Sequence, residues 1–431
     1  MRFEQAPLLV VVLGAGLLAC KKDADTTAPL VRIVAPVAGS TISVPDTFTV
    51  RVEVSDENIV EALTIELVDD EGRTITSAGS ISVNSNSGTY ATELRLSDER
   101  VLSGSYTIVA RATDGDNDGR GFLGINVLST PLRLRALFLA PPFSTDPVSI
   151  TRIDSAGNVS TFTSLQDFNG VAVDSYWQHV IVAGSQFAPL QALPTSASSN
   201  FWQVDAPASD QPEQFTAVTV DPSDRKVYFA TREGLIRGFT GAGAQHFTAQ
   251  CLEGHRCERI IVMQNEIATW QRAIVGGASH MVAYSIAGTS MHQLTVEHDR
   301  IELFHRSGTS LIHFANADDE GLIEDVNIAA GGSPEVRTFS GELIRAVTRL
   351  DANTFVIALT DRMVRFNYAN NTINPLSEGI AADALAYDPA TGALYASEGS
   401  TLLTIDPNSG AVVNTMSMNA PIAHILPLLN R

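Results

Sequence analysis

The chain has 431 residues, of which 44% are hydrophobic, and a net charge of −20. That length exceeds what one hydrophobic core supports, so two or more domains are expected. A surface this acidic repels phosphate backbones and anionic headgroups, which argues against nucleic acid as a partner, and frequent turn formers with few amphipathic helical windows point to an all-β chain.

The N-terminus reads MRFEQAPLLVVVLGAGLLAC, one early Arg followed by an apolar run from Ala6 to Ala19. Such a run is short for a bilayer span but suits the core of a signal peptide. Its last four residues, LLAC, resemble the bacterial lipobox. The resemblance implies removal of residues 1–19 and acylation of Cys20, with membrane contact through that lipid anchor alone. Two features bear on it: Glu4 offsets Arg2 in the n-region, and an ordinary secretory signal that happens to contain Cys is the alternative. Lys21 rather than Asp follows the cysteine, which by similarity to Gram-negative lipoproteins implies the outer membrane, on its periplasmic or extracellular face. Residues 20–28, small and polar after the cysteine, read as a tether.

Residues 29–130 read as alternating segments: LVRIVAP, FTVRVEVSD, ALTIELVDDEG, GTYATELRLS, GSYTIVARATD and FLGINVLS. About seven short strands separated by turn clusters predict a β-sandwich. With VEVSD and YTIVARATDGDNDG, the pattern resembles bacterial immunoglobulin-like domains. One loop could carry chemistry. Asp114, Asp116 and Asp118 alternate before Gly119, and Asp56 and Glu57 would share that end of a sandwich. Ca²⁺ takes six to eight oxygens, which such spacing can supply. An EF-hand needs Glu at the twelfth position, where this chain has Ile125, and a plain polar hairpin turn is the alternative.

Residues 131–431 repeat. Residues 382–410, ADALAYDPATGALYASEGSTLLTIDPNSG, read as three strands joined by the turns DPATG and DPNSG. Taking one anchor per repeat in the middle strand gives Phe138, Ile181, Tyr228, Val275 (in AIVGG), Ile312, Val356 and Tyr395. The spacings are 43, 47, 47, 37, 44 and 39 residues, the length of a four-stranded propeller blade. Seven blades are favoured, with six or eight as alternatives. The first anchor leaves no room for an inner strand before it, and the chain ends in IAHILPLL. The C-terminal strand is therefore expected to complete the first blade and close the ring. GVAVDSYWQHVIVAG and AVTVDPSDRKVYFATREGLIRGF resemble YVTN/NHL-type propellers of secreted bacterial proteins. That similarity implies architecture and no ligand. Asp174, Asp221 and Asp388 read as turn caps.

Four further groups are candidates. Cys251 and Cys257 in CLEGHRC are expected to form a disulfide in an oxidising envelope; a metal site with His255 lacks a visible fourth ligand. His292, His298, His305 and His313, with Glu297 and Asp299, could converge as ligands or an acid–base pair, but the spacings match no known motif. Trp177, Trp202 and Trp270 could stack on sugars or pack between blades. The sequence thus predicts an envelope lipoprotein with an Ig-like domain and a propeller that binds a protein or glycan through one face. An extracellular propeller enzyme of the metal-dependent hydrolase, lactonase or lyase type is the alternative.

Overall fold

The computed structural model describes residues 26–431, except 197–198, 207–210 and 222–224. The leader and Cys20 lie outside the described residues. The chain divides after Thr130 into two compact units, and every regular element among the described residues is a strand.

Among its described residues the first unit has six strands: β1 (Leu30–Ala35), β2 (Thr41–Ser43), β3 (Asp46–Val68), β4 (Thr74–Leu96), β5 (Gly104–Thr113) and β6 (Asp118–Leu128). The order is β1-β3-β5-β6-β2, with β4 on the free side of β3. Here the structure corrects the expected run of short strands, because β3 and β4 are each 23 residues long. The first half of β3 pairs with β1 and the second half with β5, while β4 follows it throughout. Between them the register shifts from Ser55 to Val60. The polar residues that resemble a turn in sequence, Asp56 to Asn58, sit at this bulge and let the strand bend without ending. Val50, Val52 and Val54 before the shift, and Leu63, Ile65 and Leu67 after it, are all buried in one core with Leu94, Ile108 and Ile125. The bulges change the parity of the alternation so that both halves face inward.

The second unit consists, among the described residues, of seven four-stranded antiparallel sheets. Their first strands are His424–Leu429, Gly170–Asp174, Phe215–Asp221, His255–Val262, Asp299–Ser307, Ala346–Arg349 and Ala384–Asp388. Each first strand contacts the next, and the last returns to the first, so the seven line the centre of a closed propeller. The C-terminal strand His424–Leu429 pairs with Leu134–Ala140, joining the two ends of the unit in one sheet. Hydrophobic layers fill the gaps between neighbouring sheets.

One anchor needs correction. The second strand of the fourth sheet is Glu266–Ala273, and Val275 lies beyond it in a loop, 89% exposed. An apolar loop imitated a strand end. With the anchor on Ala268, the two irregular spacings become 40 and 44 residues.

Antiparallel order fixes which loops share an end. First strands all start at one end of the ring. The loops between second and third strands, and the crossings from one sheet to the next, lie at that end. Loops after first and third strands lie at the other. The repeated aspartates cap that far end. Asp174 accepts the Trp177 N–H at 2.9 Å. Asp388 accepts the Ala390 N–H at 2.9 Å and the Thr391 hydroxyl. Asp154 and Asp406 do the same in loops after third strands. In the DPATG turn, Gly392 has φ of 72°, which a Cβ would strain.

Candidate functional site

The central channel opens at the end where the first strands begin. Its mouth is a cavity of about 450 Å³ to which all seven first strands contribute. Gly170 and Val171, Phe215 to Val218, Arg300 to Glu302, and His424 to Leu426 are among its walls. Volumes of this order hold small molecules.

The charged groups of the cavity are Glu258, Arg259, Arg300, Glu302, Arg345, Asp383 and the imidazole of His424. Their partners differ. Glu258 is drawn outward by Arg256 at 3.0 Å and Arg272 at 3.3 Å. Arg259 holds Glu302 at 2.7 Å. Arg345 pairs with Asp383. Arg300 has no carboxylate within ion-pair distance among the described residues; its one hydrogen bond is from Nη1 to the Ile301 carbonyl at 3.3 Å. Burial pushes the Arg300 guanidinium down from its usual range, with Arg259 adding to the effect against Glu302. Burial, reinforced by Arg259, pushes His424 down to about 4, so the imidazole is neutral at pH 7. Its ring meets Phe168 edge-on at 5.9 Å between centroids.

Around the mouth, five apolar side chains are exposed on loops at the same end: Phe143, Phe187, Ile274, Val275 and Leu343. Asp167, fully buried, organises the Phe187 loop. It accepts N–H groups from Ser185, Gln186 at 3.0 Å, Phe187 at 2.7 Å and Ala188 at 3.1 Å. Burial opposes its charge, but these four donors outweigh it and hold the carboxyl below its usual range. The Ser185 hydroxyl donates to the Ser144 carbonyl at 3.0 Å, tying this loop to the one carrying Phe143.

The residues singled out from sequence lie elsewhere. Cys251 and Cys257 are buried and unbonded in this structure, which does not show the expected disulfide. Cys257 donates to the Arg259 carbonyl at 3.2 Å. Both are sealed in the layer between the third and fourth sheets with Tyr228, Phe247 and Ile260. That burial, with Cys251 alongside, pushes the Cys257 thiol far up, and a protonated thiol does not undertake exchange. In the Ig-like unit, Asp114 accepts the N–H groups of Asp116 at 2.8 Å and Asn117 at 2.6 Å, closing its own turn. Asp118 pairs with Arg111. Asp56 accepts the Asn58 N–H at the β3 bulge, and Glu57 accepts the Thr27 hydroxyl. Among the described residues no three His, Cys, Asp or Glu side chains converge to hold a metal.

Two of the four grouped histidines do meet. His313 Nδ1 lies 2.8 Å and His298 Nδ1 3.2 Å from the Glu324 carboxylate. His313 is fully buried against Trp270, with ring centroids 5.0 Å apart, so the trio is packing between sheets. Trp270 is itself fully buried, and Trp202 stacks on Phe239 while donating to the Gly241 carbonyl at 3.1 Å.

The channel charges escaped the sequence reading. A signal was present: Arg259, Arg300 and Arg345 recur in or just before three successive inner strands, in CERI, DRIE and IRAV, 41 and 45 residues apart.

A family model described as a bacterial Ig domain matches residues 29–115. The chain matches no curated protein. Among solved structures it is similar to a quinonprotein alcohol dehydrogenase-like protein from Bacteroides thetaiotaomicron, at 10% identity and TM-score 0.44, covering 92% of this chain and 99% of that one. It is also similar to a computationally designed protein, Ika8, at 13% identity and TM-score 0.45, covering 67% and 91%. A third is BamB from Moraxella catarrhalis, at 14% identity and TM-score 0.39, covering 58% and 76%.

Proposed function

We propose that the chain is a bacterial cell-envelope lipoprotein whose propeller is a binding module, docking another envelope protein through the end that carries the channel mouth. The observation behind this reading is the pair of exposed rings Phe143 and Phe187 on neighbouring loops at that end, tied together by the hydrogen bond from the Ser185 hydroxyl to the Ser144 carbonyl. Exposed apolar side chains clustered among polar ones are what a partner covers. Asp167 gives the Phe187 loop a fixed shape before any partner arrives, which lowers the entropic cost of binding. The signal peptide and Cys20 support the envelope and the lipid anchor. A metal-dependent hydrolase, lactonase or lyase is less well supported. It would draw on carboxylates converging in the channel, whereas Glu258, Glu302 and Asp383 are each engaged by an arginine.

The test is crosslinking in intact cells, with capture through a C-terminal tag. One protein partner in stoichiometric amount is expected, and the double variant Phe143→Ser, Phe187→Ser should reduce its recovery at least tenfold without lowering the melting temperature. Recovery indifferent to these changes would refute docking through this end. Capture of glycan in place of protein would transfer the reading to a glycan. Palmitate incorporation that disappears in Cys20→Ala tests the anchor.

A further inference from the structure

We infer that the channel mouth is a receptor site for a small monocarboxylate, with Arg300 as its principal contact and Arg259 beside it. The site stands apart from the docking reading, since it concerns the cavity and not its rim.

A guanidinium carries five N–H donors in a fixed fork and cannot shed its proton in water-like conditions. Arg300 spends one of these donors, weakly, on the neighbouring carbonyl. Its Nε is buried with no acceptor among the described residues, and the same holds for Arg259 Nε. Burying donors this way is costly unless something accepts from them. Both side chains line the same cavity. They come from adjacent inner strands, His255–Val262 and Asp299–Ser307.

Charge then selects the ligand. Within the cavity Glu258 is committed to Arg256 and Arg272, and Asp383 to Arg345. What remains is Arg259, paired with Glu302, and Arg300, paired with no carboxylate among the described residues, an excess of one positive charge. A carboxylate neutralises that excess and fits the guanidinium fork with two parallel bonds. A doubly charged phosphate would overshoot it and meet Glu302. His424, uncharged at pH 7 and without a hydrogen-bond partner among the described residues, can take a further polar contact without altering this balance.

The cavity volume limits the ligand to a small molecule. Phe215, Val171 and Val347 stand in the wall but are buried between sheets, at 1%, 8% and 8% exposure, so the charged side chains dominate what a ligand meets. A compact organic acid satisfies both demands.

The experiment is calorimetric titration of the purified mature chain at low ionic strength. Phenylacetate is the probe, with phenylacetamide and inorganic phosphate as comparators. Phenylacetate should bind, and Arg300→Gln should weaken it at least tenfold. Phenylacetamide, the uncharged isostere, should bind at least tenfold more weakly than phenylacetate. Should Arg300→Gln fail to fold, the wild-type chain provides the second measurement: phenylacetate should protect the peptide containing Arg300 from modification by phenylglyoxal. No binding of phenylacetate, equal binding of the amide, or tighter binding of phosphate would each overturn the assignment. Because no partner protein is present, a failed cellular capture leaves this result intact, and the rim variant Phe187→Ser should bind phenylacetate normally.

Discussion

Closure of the ring by its last strand can be tested by removing it. Deleting residues 422–431 takes away the strand His424–Leu429 and leaves the backbone edge of Leu134–Ala140 unpaired. It also removes three buried side chains: Ile422, Ile425 and Leu428, at 3%, 7% and 1% exposure. Each contributes roughly 1.5–3 kcal/mol of burial, so the loss is about 5–9 kcal/mol before the exposed edge is counted. Domains as a rule have roughly 5–15 kcal/mol in total, so most of the ring's stability would go. Leu428→Ala is the graded version. It empties part of the layer shared with Phe138, Phe168 and Val180, and should cost about 3 kcal/mol. For a unit this large that is a fall of roughly 5 °C in melting temperature. Tryptophan fluorescence is the assay, because Trp177, Trp202 and Trp270 all lie in the second unit and none in the first. A deleted chain that still unfolded cooperatively within a few degrees of the parent would refute the reasoning.

His424 has a folded-state pKa of about 4 against 6.5 when free. The unfolded chain therefore binds the extra proton first, and its contribution is complete above pH 6.5 and lost as pH falls towards 4. The amount is at most about 3 kcal/mol; urea titrations at pH 7 and 4.5 should show the decline, and His424→Gln should reduce it. Asp167→Ala leaves four backbone donors without their acceptor and should destabilise the ring by about 2–4 kcal/mol, with weaker partner capture because the Phe187 loop loses its frame. Thiol reagents should leave Cys251 and Cys257 untouched in the native chain and label both in denaturant without reductant; continued protection in denaturant would establish a disulfide instead. Millimolar calcium should leave the melting of the Ig-like unit unchanged, because Asp114 and Asp118 are already occupied by backbone N–H groups and by Arg111.

The propeller was legible in sequence because every sheet faces the same demands. Each needs an apolar second strand, a turn after the first strand and a cap for that turn. Those demands recur at one period and leave a trace, as in Asp174 and Asp388. They act at the end of the ring away from the channel mouth, so the visible repeat marks structure. Two errors have the same root. The bulge at Asp56 to Asn58 has the composition of a turn but continues β3, because local composition does not reveal pairing on both sides. Val275 has the composition of a strand but lies in a loop, because a short apolar run does not reveal whether its backbone is paired.

The channel was hidden for the opposite reason. Its residues share a location and no common chemistry: a glycine from one inner strand, a threonine from the next, then arginines, then His424. A repeat can be recognised only where each copy does the same work, and in the channel lining the copies differ. The three arginines are the partial exception. They recur at 259, 300 and 345, yet each has a different fate, one bound to Glu302, one to Asp383 and one to neither. Recurrence marks the inner strands that carry a cation; only the assembled ring tells which of the three is left without a counter-charge.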